Sequence, residues 1–307
     1  TFIDTILKHE HKGRIHADIN PIKSDQGGTV TGRFSYSNPN LQQIPARNKD
    51  LGPMIRGLFI PEKDHTWGCF DYSQQEPRLV VHYAATTEPI CFNDSVTKIV
   101  EKFKDDSVDF HQTVADMANI SRSQAKTINL GLFYGMGKAK LQAELGLNTK
   151  QEAENLFNQY HDNVPFVREL MNRTSSFAQT SGSIGTLLGR KCRFDKWEPA
   201  TFGMHTPMTL EEAERTYGRG RIRRAFTYKA LNKLIQGSAA DMTKKAMLDL
   251  YQEGIIPHIQ IHDELDLSIE SQEQAKKIIE IMENAVKLTI PNKVDYESGK
   301  TWGEING

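Results

Sequence analysis

The run His65 to Ala85, HTWGCFDYSQQEPRLVVHYAA, limits what this chain can fold into more than any other stretch. Trp67 to Phe70 is a short apolar strand that runs into an acid, Asp71. Pro77 then fits the first turn of a helix, where its missing N–H costs nothing. Asp71 therefore stands at a strand's end, pointing into a cleft. An Asp in that place serves a metal ion or caps a helix or turn, and this stretch alone leaves both open.

A second acid-bearing stretch lies far downstream. In PHIQIHDELDLSIE, Pro257 to Glu270, the residues Ile259, Ile261, Leu265, Leu267 and Ile269 alternate on one side. That period predicts two short strands with His262, Asp263 and Glu264 at the bend. Asp is also common in plain hairpin turns, so this stretch too is ambiguous by itself.

The third stretch is SRSQAKTINLGLFYGMG, Ser121 to Gly137, which predicts one helix. Ser121 and Gln124 form a capping box at its start. Arg122, Lys126, Leu130 and Tyr134 recur every four residues along one drifting stripe. A buried stripe would not carry two cations, and a solvated one would rarely end in Leu and Tyr. Charge at one end and a flat surface at the other suit a nucleoside triphosphate.

Taken together, DYSQ-x-E-x-R, the R-x3-K-x7-Y-G helix and Q-x-HDE resemble the three motifs of family A DNA polymerases, in the family's order. The resemblance covers almost the whole chain. It implies an α+β fold: a polymerase palm whose small antiparallel sheet carries the catalytic carboxylates, plus mostly helical fingers. It divides the chain into palm at 1–78 (the end of a thumb at 1–12), fingers at 79–194, a basic insertion at 195–224 and palm again at 225–307. It also implies template-directed DNA synthesis from dNTPs on a primer–template.

Site residues follow by motif. Asp71, Asp263 and the Tyr72 carbonyl would hold two Mg2+ ions, with Mn2+ able to substitute. Two such carboxylates can hold a metal pair about 3.5–4 Å apart. Gln74 and Glu76 would face the nucleotide, Glu76 as the steric gate against a 2′-hydroxyl. His111, Arg122 and Lys126 would meet the triphosphate, and Leu130 and Tyr134 the sugar and base. Leu130 stands where relatives carry Phe or Tyr, which puts discrimination against 3′-modified nucleotides in question. In TGRFSYSNPNLQQIP, Thr31 to Pro45, Arg33 would reach the minor groove at the primer end, with Asn40 and Gln42 along the duplex. Asn232 and Gln236 would touch the template side. A basic residue one turn earlier in bacterial relatives is Tyr228 here. His262 would lie near the primer terminus, with Glu264 an auxiliary acid.

The segments between the motifs say less. Residues 1–12 predict the end of a helix, Gly13 to Ile22 a strand, and Leu141 to Phe177 more helices. Glu88 to Asp106 carries no assigned chemistry. Phe226 to Leu250 predicts a second palm helix. Arg190 to Lys196 and Arg215 to Lys229 are basic runs with Tyr217, Phe226 and Tyr228 interleaved. They serve as a solvated face or as phosphate contacts, and the insertion as a surface elaboration or an extra DNA contact.

Composition matters mainly for exclusion. A net charge of −1 does not by itself announce a nucleic-acid binder. No apolar stretch is long enough for a membrane span. Three scattered cysteines, Cys69, Cys91 and Cys192, argue for reduced thiols and a cytoplasmic setting, in a bacterium or a phage's host. Because the chain opens on Thr1, a thumb and exonuclease region is expected upstream; a processivity factor is left unspecified. Two rival classes stand beside the DNA polymerase reading: a single-subunit RNA polymerase, against which Glu76 argues, and a non-catalytic DNA-binding fragment lacking the thumb.

Overall fold

The computed structural model describes residues 2–22, 27–45, 48–105, 108–133, 138–201 and 203–305, with backbone alone at 2, 130, 132, 133, 138, 139 and 141. The elements that matter for the site are, in chain order, β1 (Thr66–Tyr72), α1 (Gln75–Thr86), α2 (Phe110–Ala118), α3 (Arg122–Phe133), α4 (Lys150–Asn163), α5 (Pro165–Ser181) and β2 (Trp197–Pro199). They continue with α6 (Leu210–Tyr217), β3 (Ile222–Arg224), α7 (Ala230–Gln252), β4 (Ile259–Ile261), β5 (Glu264–Ile269), α8 (Gln272–Asn284) and β6 (Val294–Gly299). The chain forms two compact units, one from Thr1–Gln75 and Ala239–Gly307, the other from Glu76–Ser238.

The first unit is built on an antiparallel sheet in the order β4-β5-β1-β6. Its central strand β1 is buried on both faces, so its sequence reads as a nearly continuous apolar run. Phe70 and Tyr72 point to one side, where the Tyr72 hydroxyl donates to the Met282 carbonyl of α8 at 2.6 Å. Trp67 and Cys69 point to the other, into a core with Tyr36, Ile55, Ile259, Trp302 and Ile305. The Trp67 and Trp302 rings stack there with centroids 6.1 Å apart. On the opposite face Gly68 is required by space: a Cβ would come 2.5 Å from Ile269 on β5 and 3.1 Å from Phe70.

The second unit is mostly helical. Asp109 caps α2 by accepting the Gln112 N–H at 2.9 Å, and left-handed Asn119 ends it. The capping box at Ser121 is present in both directions, at 3.0 and 3.2 Å. Pro165 opens α5, and Gly182, with φ +75°, closes it. β2 and β3 pair antiparallel, Trp197 opposite Arg224, closing the insertion at its base. A capping box at Thr209 and Glu212 starts α6 within it.

Several expected boundaries move. After a helix over Phe2–Leu7, residues Glu10–His11 pair with Arg14–Ile15. β1 extends through Asp71 to Tyr72, because β5 and β6 pair with it to that point. Glu264 is the first residue of β5, not part of the bend. Helix α3 is described from Arg122 to Phe133, and 134–137 lie outside the described residues. The second palm helix begins at Ala230 after a separate short 3-10 turn, Thr227–Lys229. No helix among the described residues is long and apolar enough to cross a membrane.

Candidate active site

In the first unit the acids gather at one end of the sheet. Asp71 pairs across β1 with Glu264 on β5 and with Asp295 on β6. The Tyr72 N–H donates to the Asp263 carbonyl at 3.3 Å, which ties the β4–β5 turn to the end of β1. His262, with φ +55°, supplies the left-handed step that makes this turn tight. Tyr72 therefore buries its ring away from the acids while its backbone stays beside them.

The electrostatics of this cluster are one-sided. Burial of the carboxyl, then Asp263, Glu264 and Asp295, push Asp71 up to about 8. Glu264 is also raised to about 8, by burial and then by Asp266. The charges acting on Asp71 all come from carboxylates. Such a cluster either keeps protons or takes up a cation. An all-oxygen donor set from Asp71, Asp263 and the Tyr72 carbonyl fits a hard divalent ion.

Asp266 is a residue the sequence reading passed over. It lies two residue pairs along the ladder from Asp71, opposite Cys69, and is fully buried. One of its oxygens accepts from Trp67 Nε1 at 3.0 Å and from the Cys69 thiol at 2.5 Å. Cys69, Glu264 and Asp266 present ligand atoms within 4.8 Å of one another. Burial raises the Cys69 thiol and both carboxyls, which favours protons over a metal at this trio. The period-2 alternation did carry the signal: Asp266 falls on the opposite side from Leu265 and Leu267. The expected single side for all five apolar residues divides in two: Ile259 and Ile261 pair with Asp266 and Glu264 on one face, a second core, while Leu265 and Leu267 take the other.

Other predicted residues of this unit fall nearby. Arg33 and His262 line one small recess with Phe34, Thr243, Lys244 and Gln260. Gln74 follows β1 with φ +54°. Asn40 and Gln42 are partly engaged within their own loop. The Asn40 side chain accepts the Gln42 N–H at 3.1 Å, and Gln42 Nε2 donates to the Phe34 carbonyl at 3.3 Å.

In the second unit, α3 turns Ala125, Ile128 and Asn129 inward and leaves Arg122 and Lys126 exposed. Arg122 grips one oxygen of Asp109 with Nε at 2.9 Å and Nη2 at 2.5 Å. Burial alone would raise the Asp109 carboxyl. The Gln112 N–H and the Arg122 guanidinium outweigh it and hold the group below its usual range. Lys126 makes no ion pair among the described residues. His111 is lowered to about 4, first by burial and also by Lys126 and Arg122, so it is neutral at pH 7.

A relay fixes which His111 nitrogen carries the proton. The Tyr160 hydroxyl donates to Asn129 Oδ1 at 2.5 Å. The Asn129 amide nitrogen, 3.0 Å from His111 Nδ1, must then donate to it. Nε2 keeps the N–H. Asn129 and Tyr160, both fully buried, are further residues that the stripe argument missed.

A family model for DNA polymerase family A matches residues 1–304. The chain belongs to DNA polymerase family A. It is similar to a DNA-directed DNA polymerase of Pseudomonas phage M6, 34% identical over all of this chain and 49% of the phage protein. It is also similar to DNA polymerase I of Caldicellulosiruptor bescii, 35% identical over 95% of this chain and 32% of that protein. Among solved structures it resembles the POL domain of Pol1 from M. smegmatis, in complex with DNA primer-template and dNTP. That match has a TM-score of 0.77 and 28% identity, covering 98% of this chain and 50% of the other. The chain thus spans half or less of the length of these relatives.

For a family A polymerase, two expected contacts remain outside view: Tyr134 lies outside the described residues, and Leu130 is placed on α3 by its backbone alone. Glu76 is half-buried in the first turn of α1. Asn232 and Gln236 share the outer face of α7, half-exposed, while Leu231, Leu234 and Ile235 turn inward.

Proposed function

We propose that this chain is the polymerising portion of a family A DNA polymerase, joining dNTPs to a primer 3′-hydroxyl on a DNA template. The observation that carries the reading is the end of the sheet. The Tyr72 N–H ties the Asp263 carbonyl to the end of β1 beside Asp71, and the charges acting on Asp71 are all carboxylates. Residues 1–78 and 225–307 would be the palm, 79–194 the fingers and 195–224 an insertion.

Asp71, Asp263 and the Tyr72 carbonyl would hold divalent metal, with Mg2+ the natural choice for hard oxygen donors. When bound, the ions would make the primer hydroxyl a better nucleophile and stabilise the leaving oxygen. The protein's own groups do the rest. Arg122 and Lys126 offset charge that builds on the departing pyrophosphate. His111, neutral, offers its Nε2–H to a phosphate oxygen. Glu76 closes the space a 2′-hydroxyl would need. Arg33 and His262 attend the primer terminus, and Asn232 and Gln236 the template. The host or bacterial cytoplasm is the setting proposed.

Primer extension tests the reading, with this chain beside a version carrying its natural N-terminal residues. Extension is expected with dNTPs and a divalent ion. Asp71→Asn or Asp263→Asn should reduce it by at least about 1,000-fold, the scale of a lost transition-state contact, while primer–template binding persists. Retained extension in either variant would remove the metal assignment. Glu76→Ala should admit ribonucleotides. Efficient ribonucleotide use by the unaltered chain would favour an RNA polymerase instead.

A further inference from the structure

Between Lys191 and Lys233 fall ten cations and five carboxylates, in a chain whose net charge is −1. The fold consumes several of those carboxylates internally. Glu198 pairs with Arg223 at 2.8 Å and Glu214 with Arg219 at 3.0 Å. Glu212 is held in the Thr209 capping box. Arg215, Arg221 and Lys229 are exposed and make no ion pair among the described residues. The two pairs cancel within the segment, which keeps its excess of cations over carboxylates.

Just past β3 the chain places two aromatic rings outside. Phe226 is 37% exposed and Tyr228 54%. Their centroids lie 6.5 Å apart, and the Lys229 ammonium sits 5.0 Å from one ring and 5.5 Å from the other. Phe226 adopts φ +63° and ψ +11°, a left-handed conformation that a bulky side chain resists. The residue is still 37% exposed in that conformation. Local geometry disfavours Phe at this position, and strain of this kind collects where a side chain is held for a ligand.

We propose that Phe226, Tyr228 and Lys229, in the basic run that also carries Arg215 and Arg221, form a binding face for single-stranded DNA. On the polymerase reading above, that strand is unpaired template. The chemistry selects this ligand over others. Unpaired bases offer flat faces that stack on exposed aromatics whatever their identity, while cations beside the rings meet the phosphates. A duplex hides those base faces and calls for cations alone. A protein partner would favour an apolar centre depleted of lysine. Tyr228 thus meets the strand by stacking.

Fluorescence anisotropy with a labelled 20-nucleotide oligo-dT tests this, beside a blunt 20-base-pair duplex. Phe226→Gly relieves the left-handed strain, so it should keep or raise the melting temperature while weakening oligo-dT binding about tenfold. Tyr228→Ala should weaken it similarly, and Tyr228→Phe, which keeps the ring, should bind like the unaltered chain. Arg215→Ser with Arg221→Ser should lower the slope of log affinity against log salt by about 1.4, two phosphate contacts on a single strand. Duplex binding should respond little to the aromatic changes. Unchanged oligo-dT binding in folded Phe226→Gly and Tyr228→Ala would overturn the proposal. So would an equal loss on the duplex, which would mark a backbone-only face. Primer extension with the same preparations separates the two readings. Normal extension with indifferent oligo-dT binding sinks only this face. Ring-dependent oligo-dT binding without extension by the unaltered chain sinks only the polymerase reading.

Discussion

Single residues here carry consequences that their neighbours in sequence do not announce. Asn129 is the sharpest case, since it alone joins the Tyr160 hydroxyl to His111. Asn129→Ala would leave a buried hydroxyl and an imidazole nitrogen without partners. A cost of about 2 kcal/mol is expected, the usual penalty for orphaned buried polar groups, measured by urea unfolding. His111 would also lose its fixed tautomer, so the KM for dNTPs should rise more than stability alone explains. Arg122 and Lys126 were legible because an i,i+4 stripe of cations needs no tertiary knowledge. Asn129 was not, because an Asn in a helix looks the same whether solvated or buried. Asp266 escaped for a related reason: alternation tells which side a residue faces, not whether that side is wet.

At the scale of elements, Asp109 has two duties that substitution can separate. It caps α2 and it holds the Arg122 guanidinium. Asp109→Ala removes both and should destabilise the protein by about 1 kcal/mol, the usual value of an N-cap. Asp109→Asn keeps a capping oxygen and loses the charge. It should melt like the unaltered protein in calorimetry yet show a changed KM for dNTPs, because Arg122 is no longer tethered. An equal KM in both would show that the tether has no part in nucleotide binding. A capped helix such as α3 could be placed from sequence because Ser121–Gln124 is a local signal. The pairing of β2 with β3 could not, since strands of three residues separated by the whole insertion carry no periodic signature.

Across the whole molecule, the two units should fail at opposite ends of the pH scale. In the second unit His111 and His161 are each lowered to about 4, with burial the largest cause. A lowered folded-state value means that their contribution is present above about 6.5, the ordinary histidine value, and is lost as pH falls toward 4. In the first unit Asp71 and Glu264 are raised to about 8. Their contribution is full below the ordinary carboxylate range and lost as pH rises through 8. Hydrogen exchange resolved by peptide, with chelator present, should show the second unit loosening at pH 5 and the first at pH 8.5. Magnesium should restore the first unit at pH 8.5 and leave the second unit at pH 5 unchanged. Uniform loosening at either pH would contradict the assignment.

Both places where the chain passes between units lie within helices, at Gln75–Glu76 in α1 and at Ser238–Ala239 inside the 23 residues of α7. Anyone exchanging one unit for a relative's would therefore splice through helical turns rather than loops. One residue too many at the second junction would rotate everything beyond it by about 100° around the helix axis. A workable chimera of this chain has to match helical phase as well as sequence.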